Sequence, residues 1–554
     1  MTDVLNMIQV CNDKQHNKVP CQKKKYRVTN KTASTTMIAA FAEALAKEVG
    51  DRPQSLATTS VKKCEGQQSS SSLEANSCSS RCCCCKPAVA SRSTEMAQED
   101  SSDGPSWDNL PIVILQEIFS YLPHESRIKA SQACKNWRYT LFHPSFWKKI
   151  AFVFKDEDSL SWVRFMVDRY ALSVQEATIR WNILNSKYID YRSETYNLLK
   201  KLGCNRQLRK LFLEFNNCIY DYFDYESNSY YSQSLREWVV RIIETSNCLE
   251  VLSLGCSEEL AADMIAILEP LRLHHAKHLT QLNMATVKDD PDHYKIKEFD
   301  NSIFDSFTRL SILTLDHEFV SDTTLKALEN GCLKRLVIHI HCWRNEPWTT
   351  NRAWQKFVQK NPQCELRLNL IHSYFGVKSL DTEILRAAMP LTHLKVLFCE
   401  SVNVRAMLRI SLWYSHTLKS LTWIDSVNRK NDLQDCLPYT LDPNDPMSPD
   451  PMVLIAWKCT KLSKIMFLGR KYYDENLLAI VRLRESNLKM LVIAKNDITF
   501  ESYEKHESTM QEIQKIMGSL WTPLNDSDLP PVILDPFKGD SRDVIMPLVL
   551  KDQK

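Results

Sequence analysis

A short frame, Leu-x-x-Leu-x-Leu, recurs between residues 208 and 496, and it limits the fold more tightly than any other feature of the chain. It is complete at Leu208, Leu211 and Leu213, with Asn216 three positions further on. The same spacing returns as Leu249, Leu252, Leu254; as Leu279, Leu282, Met284; as Leu310, Leu313, Leu315; and as Leu333, Leu336, Ile338. It continues as Leu394, Leu397, Cys399; as Leu418, Leu421, Trp423; as Leu462, Ile465, Phe467; and as Leu488, Leu491, Ile493 with Asn496. A degenerate copy runs from Leu366 to Leu370. In each frame the alternating Leu-x-Leu points two side chains to one face of a strand, and the leading Leu packs beneath it. Between frames lie amphipathic runs such as Leu235, Trp238, Val239 and Ile242, or Leu477, Leu478, Ile480 and Val481, which read as helices. Ser321-Asp322 ahead of Leu325 and Leu328 reads as a helix start.

Strand and helix alternating in this way are the pattern of a leucine-rich repeat. One such unit cannot bury its apolar face alone, so the units stack into a parallel-sheet solenoid whose open edges need caps. The expected fold class is α/β: an irregular leucine-rich-repeat solenoid, or horseshoe, over residues 153–505. Residues 506–554 then form a capping helix and tail. Met510 to Met517 reads as that helix, and Trp521-Thr-Pro with the Pro-rich stretch 529–536 is expected to cover the last strand.

Upstream lies a different texture. From Trp107 to Trp147 the chain reads as a run of short helices. Pro111 suits a first helical turn, where a missing N–H costs nothing, and Asp108 or Asn109 stands ready to cap it. Leu115, Ile118, Phe119 and Leu122 share one helical face, and Pro123 stops that helix. A second segment carries Ile128, Ala130 and Ala133, a third carries Trp137 and Leu141, and His143-Pro144 breaks the chain before Phe146 and Trp147.

These residues resemble the F-box: Leu110-Pro111, Leu115, Ile118-Phe119, Leu122, Arg127, Ser131, Cys134, Trp137, and Pro144 with Trp147. Ala133 stands where valine is usual, and Ile112 where an acidic residue is commoner. From Trp107 to about Pro523 the order of elements is similar to leucine-rich members of the same family, a resemblance carried most densely by DPMVLIAWKCTKLS and NLLAIVRLRESNLKMLVI between Asp450 and Phe500. The resemblance implies an all-helical F-box over residues 106–152 that docks the Skp adaptor and, through it, a cullin and a RING subunit. The chain is then the substrate receptor of an SCF-type ubiquitin ligase, or alternatively a non-degradative F-box scaffold. Leu110, Pro111, Leu115, Ile118, Phe119, Leu122, Trp137 and Trp147 supply the implied adaptor-binding set. Some of these face the adaptor and others hold the helices together.

No chemistry of its own is expected from the chain. Gly is only 10 in 554 residues, and no Walker loop, GxGxxG, GxSxG or HExxH occurs. No catalytic residue, cofactor or metal is assigned. His339, His341 and Cys342 in HIHCW sit where a repeat strand ends, and alternate residues of a strand share a face; a solvated or hydrogen-bonded strand end is the reading, with a metal site as the alternative.

Residues 1–105, rich in Ser, Thr, Lys and Gln, cannot bury enough apolar surface to fold and are expected to be a disordered leader. Met37 to Val49 in it has the spacing of a short amphipathic helix, and Cys82 to Cys85 is open to three readings: a plain run, an acylated anchor or a soft-metal cluster. The net charge of +3 argues against a nucleic-acid partner. With no apolar span long enough for a bilayer and no signal peptide, the expected location is the cytoplasm, the nucleus or both, and the 19 cysteines are expected to be thiols. Two insertions are candidates for holding a protein target. One is the aromatic, acidic cluster of Tyr220, Tyr222, Phe223, Asp224 and Tyr225, with an ordinary exposed loop that packs back on the solenoid as the other reading; the other is the long, turn-rich stretch from Asn428 to Pro451, expected to be disordered.

Overall fold

A computed structural model describes residues 107–181, 191–215, 225–261, 264–288, 300–341, 349–427 and 450–553. The leader, Tyr220, Tyr222, Phe223, Asp224, Cys342 and residues 428–449 lie outside them, as do the readings made for those positions. Tyr225 is described only as the first residue of a helix, Tyr225–Thr245. Backbone contacts divide the described chain between His143 and Pro144 into a small helical unit and a large α/β unit.

The helical unit opens with a 3-10 turn, Trp107–Asn109, followed by α1 (Ile112–Tyr121), α2 (His124–Ala130) and α3 (Lys135–Leu141). Pro111 is the residue before α1, with an extended ψ of 139°, and its carbonyl accepts from Ile114 and Leu115. Asp108 and Asn109 do not cap: they lie in the 3-10 turn, and the Asp108 carbonyl accepts from the Asn136 side chain at 3.0 Å.

The large unit is built on one sheet. Its strands are β1 (Lys149–Phe154), β2 (Glu176–Trp181), β3 (Lys210–Phe215), β4 (Val251–Ser253), β5 (Gln281–Asn283), β6 (Ile312–Asp316), β7 (Arg335–Ile340), β8 (Glu365–Ile371), β9 (Leu391–Leu397), β10 (Ser420–Ile424), β11 (Lys464–Leu468) and β13 (Met490–Ile493). A separate parallel pair joins β12 (Tyr472–Tyr473) to β14 (Ile498–Thr499). The twelve sheet strands are all parallel and lie side by side in chain order. Connections of one hand between neighbouring parallel strands put every crossover helix on the same side. The sheet therefore has a face covered by crossover helices and a face free of crossover helices, called here the helix-free face.

The leucine frames line the covered face. Leu211, Leu252, Leu282, Leu313, Leu336 and Leu366 sit opposite one another across six successive strands, each at most 1% exposed. Stacking of this kind is why an irregular repeat still gives a regular sheet.

Two expectations need correction. The ladder begins earlier than the frame at Leu208, because Ile150 and Phe152 of β1 and Ala177 and Ile179 of β2 occupy the same rows as Leu211 and Leu213. Phenylalanine and alanine at these rows hide the motif. The frame read as Leu394, Leu397 and Cys399 is also displaced by one step: Leu394 pairs with Leu421 and Val396 with Trp423, so the frame is Leu391, Leu394 and Val396. Leucines three apart at 391, 394 and 397 make the two registers look alike, and Leu397 faces the other way.

The tail travels further than the last strand. Helix Tyr503–Met517 packs on helix Asp474–Arg484, and Gly518, at φ 103°, ends it. Trp521 Nε1 then donates to the Leu491 carbonyl at 2.9 Å, and Leu524 donates to Ile493 at 2.9 Å, which covers the end of β13. From there the chain turns back over the helix-free face. Ser426 Oγ meets the Val532 carbonyl at 2.6 Å beyond β10, helix Arg542–Leu550 follows, and Gln553 reaches Ser253 of β4 at 3.1 Å. Among the described residues no helix is long and apolar enough to cross a membrane.

Candidate functional site

Two surfaces could carry function: the outer side of the helical unit, and the sheet face beneath the returning tail.

In the helical unit the motif residues do local work. Cys134 is the N-cap of α3, its sulfur accepting from the Trp137 N–H at 3.5 Å, so the Cys-x-x-Trp spacing is a capping spacing. Arg127 Nε donates to the Phe119 carbonyl at 2.8 Å and so satisfies the end of α1. Trp137 meets Phe119 edge to face at 5.8 Å and donates to the Trp107 carbonyl at 3.0 Å. These bonds lock three short helices that would be too small to hold together on apolar contact alone.

Burial sorts the sequence-derived set. Leu115 and Phe119 are fully buried, and Trp147 is buried in the large unit, stacked on Tyr170 at 5.5 Å. Leu110, Ile118, Leu122 and Trp137 are half-buried, and Pro111 is exposed. The residues that motif reading missed are on the first turn of α1: Ile112, Val113 and Ile114 are all exposed, Val113 at 73%. Three successive branched apolar side chains left in water are a liability unless something covers them. Trp107, Tyr121 and Tyr139 add exposed aromatic area to the same unit.

The helix-free sheet face is polar at one end of its strands and apolar at the other. Register places Arg367, His393, Ser420 and Lys464 in one row, Asn369, Lys395, Thr422 and Met466 in the next, and Ile371, Leu397, Ile424 and Leu468 in the third. The tail matches both ends. Val532, Ile533, Val544, Ile545, Val549 and Leu550 belong to one apolar cluster with the third row. The Asp552 carboxylate accepts from Arg367 Nη1 at 2.9 Å, from Asn369 Nδ2 at 3.1 Å and from Lys395 Nζ, and its backbone carbonyl accepts from Arg335 Nη1 at 3.0 Å. Lys395 and Arg367 together hold the Asp552 carboxyl down to about 2, against its desolvation.

His339 and His341 fall on this face, as their alternation requires. His339 Nδ1 lies 2.7 Å and His341 Nε2 3.0 Å from the Thr286 carbonyl, while Asp316 accepts from the Thr286 N–H and hydroxyl at 2.8 and 2.7 Å. Each of Asp316, His339 and His341 can offer one ligand atom within 4.8 Å of the others, a set that suits a divalent metal. The bonds present describe a buried polar network centred on Thr286.

Burial pushes His339 and His372 down to about 4 and His393 down to about 3. An unfolded imidazole titrates near 6.5. Below that pH the unfolded chain takes up protons that the folded chain refuses, so the stability these rings allow is complete above about pH 6.5 and falls as the pH drops toward 4. Asp497, raised to about 6 by burial, opposes part of this effect. Each net proton is worth about 1.4 kcal/mol per pH unit. Denaturant midpoints should therefore fall steadily from pH 6.5 to pH 4.5, and a flat profile would show that the rings are open to water.

Comparison with known proteins places the helical unit and the whole chain separately. Residues 107–153 match the family model described as F-box-like. The chain is similar to human F-box only protein 33, 22% identical over 513 residues that cover 79% of this chain and 86% of the relative. It is likewise similar to mouse F-box only protein 33, 22% identical over 511 residues with the same coverage. The chain carries an F-box-like domain, joined to a solenoid-like parallel sheet, and is related along most of its length to F-box only protein 33.

Proposed function

We propose that the protein is the substrate-receptor subunit of an SCF-type ubiquitin ligase. The F-box-like unit docks the Skp adaptor, which links to a cullin and a RING subunit, and the solenoid, read as irregular leucine-rich repeats, holds a protein target. The observation that carries this reading is the exposed apolar first turn of α1 within a matched F-box-like domain. Ubiquitin transfer is then a matter of proximity: the receptor raises the effective concentration of a target's lysines near the charged conjugating enzyme. The receptor itself takes no part in bond making.

One observation favours a second reading, a scaffold that binds the adaptor without delivering a target. The sheet face free of crossover helices, a natural place for a target, is filled by the chain's own tail. Adaptor binding by the purified full chain tests both readings together, and ubiquitylation of a captured partner separates them. Leu110→Ala with Pro111→Ala is expected to abolish co-purification with the adaptor. A folded double variant that keeps full binding overturns the assignment.

A further inference from the structure

Three neighbouring parallel strands end at the same level and bring Asp316, His339, His341 and Thr286 together. Asp316 closes β6 and sits in register with His339 of β7, His341 stands just beyond the end of β7, and Thr286 follows β5. All four are at most 1% exposed. The Thr286 carbonyl lies 2.7 Å from His339 Nδ1 and 3.0 Å from His341 Nε2, and Asp316 Oδ1 lies 3.6 Å from the same His341 nitrogen. A zinc ion with bonds of about 2.0–2.2 Å holds adjacent tetrahedral ligands about 3.3–3.6 Å apart. The observed spacings run from below that range to its upper edge, and one ligand atom from each of Asp316, His339 and His341 lies within 4.8 Å of the others.

Asp316 is the group that asks for a cation. Thr286 orients its carboxylate, donating its N–H to Oδ1 at 2.8 Å and its hydroxyl to Oδ2 at 2.7 Å, and neither donor carries charge. Buried charges are as a rule paired or bound to a metal. The buried ammonium of Lys288 is bonded to Glu318 at 3.0 Å rather than to Asp316. His341 Nε2, at 3.6 Å, is beyond hydrogen-bond range of the carboxylate. Both rings can present a lone pair inward. Their outer nitrogens, His339 Nε2 and His341 Nδ1, are buried with no hydrogen-bond partner among the described residues, so no outer bond fixes which nitrogen carries the proton.

We propose that Asp316, His339 and His341, with the Thr286 carbonyl as a fourth donor, form a structural site for one divalent ion of the zinc class. Two imidazole nitrogens and a carboxylate are a donor set that zinc accepts, and four protein ligands closed off from solvent make a structural site rather than a catalytic one. The ion ties the chain after β5 to the ends of β6 and β7. Thr286 serves it twice, as a ligand through its carbonyl and as the partner that aims the Asp316 carboxylate. The competing account is an imidazolium at His341 set against Asp316, which takes up no metal. The site stands apart from the receptor reading, and neither depends on the other.

The test uses the full chain, unfolded in denaturant with a chelator, freed of both and refolded with or without zinc chloride. Zinc is counted after desalting, and denaturant midpoints are measured in zinc and in chelator. The comparison chain is His339→Asn with His341→Gln, whose amides still offer N–H donors to the Thr286 carbonyl but have no lone pair on nitrogen. The 19 cysteines could hold zinc as well, so the readout is the difference between the two chains. The unaltered chain should retain one zinc more than the variant and bind it at least about a hundredfold more tightly, since losing an outer partner of a ligand alone costs about 10–100-fold. Its midpoint should rise in zinc by more than the variant's does. Equal zinc content in the two chains, or an equal response of their midpoints, overturns the proposal. If the double variant does not fold, Asp316→Asn takes its place, because its amide can keep both bonds to Thr286, and the same one-ion difference is required. An unaltered chain that takes up no zinc on refolding overturns the proposal without any variant.

Discussion

Ile112→Asp with Val113→Asp is expected to abolish capture of the proposed partner, the Skp adaptor, and to leave the chain's thermal unfolding unchanged. Both side chains are mostly in water in the free protein, so charging them costs the fold little, within about 0.5 kcal/mol as for most surface changes. In the proposed complex the same positions would lie under the adaptor, where a carboxylate trapped without a countercharge loses its hydration. An affinity loss of at least about a hundredfold follows, equivalent to about 2.7 kcal/mol. Leu115→Asp is the instructive contrast. Leu115 is fully buried, so its loss of adaptor binding should come with a lower melting temperature of the helical unit. Retained capture by the Ile112/Val113 variant would move the docking surface elsewhere.

Arg542→Met should destabilise the large unit by about 3–5 kcal/mol, because it takes the paired guanidinium away from the buried Glu258 carboxylate. The two meet at 2.7 Å with side chains only 4% and 2% exposed, and Arg542 also donates to the Val287 carbonyl at 2.7 Å. Glu258→Met should cost a similar amount by taking the countercharge away from the buried guanidinium. The double variant Arg542→Met with Glu258→Met should lose much less than the sum, since neither member of the pair is then left buried without the other. Denaturant unfolding of the four chains measures this coupling. Strictly additive losses would mean that the pair is wetter than the geometry says, and that the tail is held by its apolar contacts and the bonds of Asp552 and Gln553.

Why some of this was legible and some was not has a physical basis. The F-box pattern was readable because its residues act on near neighbours: Cys134 on Trp137, Arg127 on the end of α1, Pro111 at the start of it. The leucine frames were readable wherever leucine itself occupies the rows. They failed at β1 and β2, where Phe152 and Ala177 fill the same rows, and slipped at β9, where leucines three apart leave two registers. Which motif residues face outward was not legible, because helical periodicity shows a face without showing what lies opposite. Ile112, Val113 and Ile114 came out of burial alone. The covered sheet face had no local signal at all: Lys395 and Asp552 are 157 residues apart, and Ser253 and Gln553 are 300 apart. One trace was present in the tail, since Val544, Ile545, Val549 and Leu550 are too apolar for a loose end.

Titration of the purified full-length chain against the purified Skp adaptor tests the central claim most directly. The account predicts saturable one-to-one binding, with a Kd of about 1 μM or tighter, that disappears in the Leu110→Ala, Pro111→Ala variant. A folded chain that shows no saturable binding would contradict it.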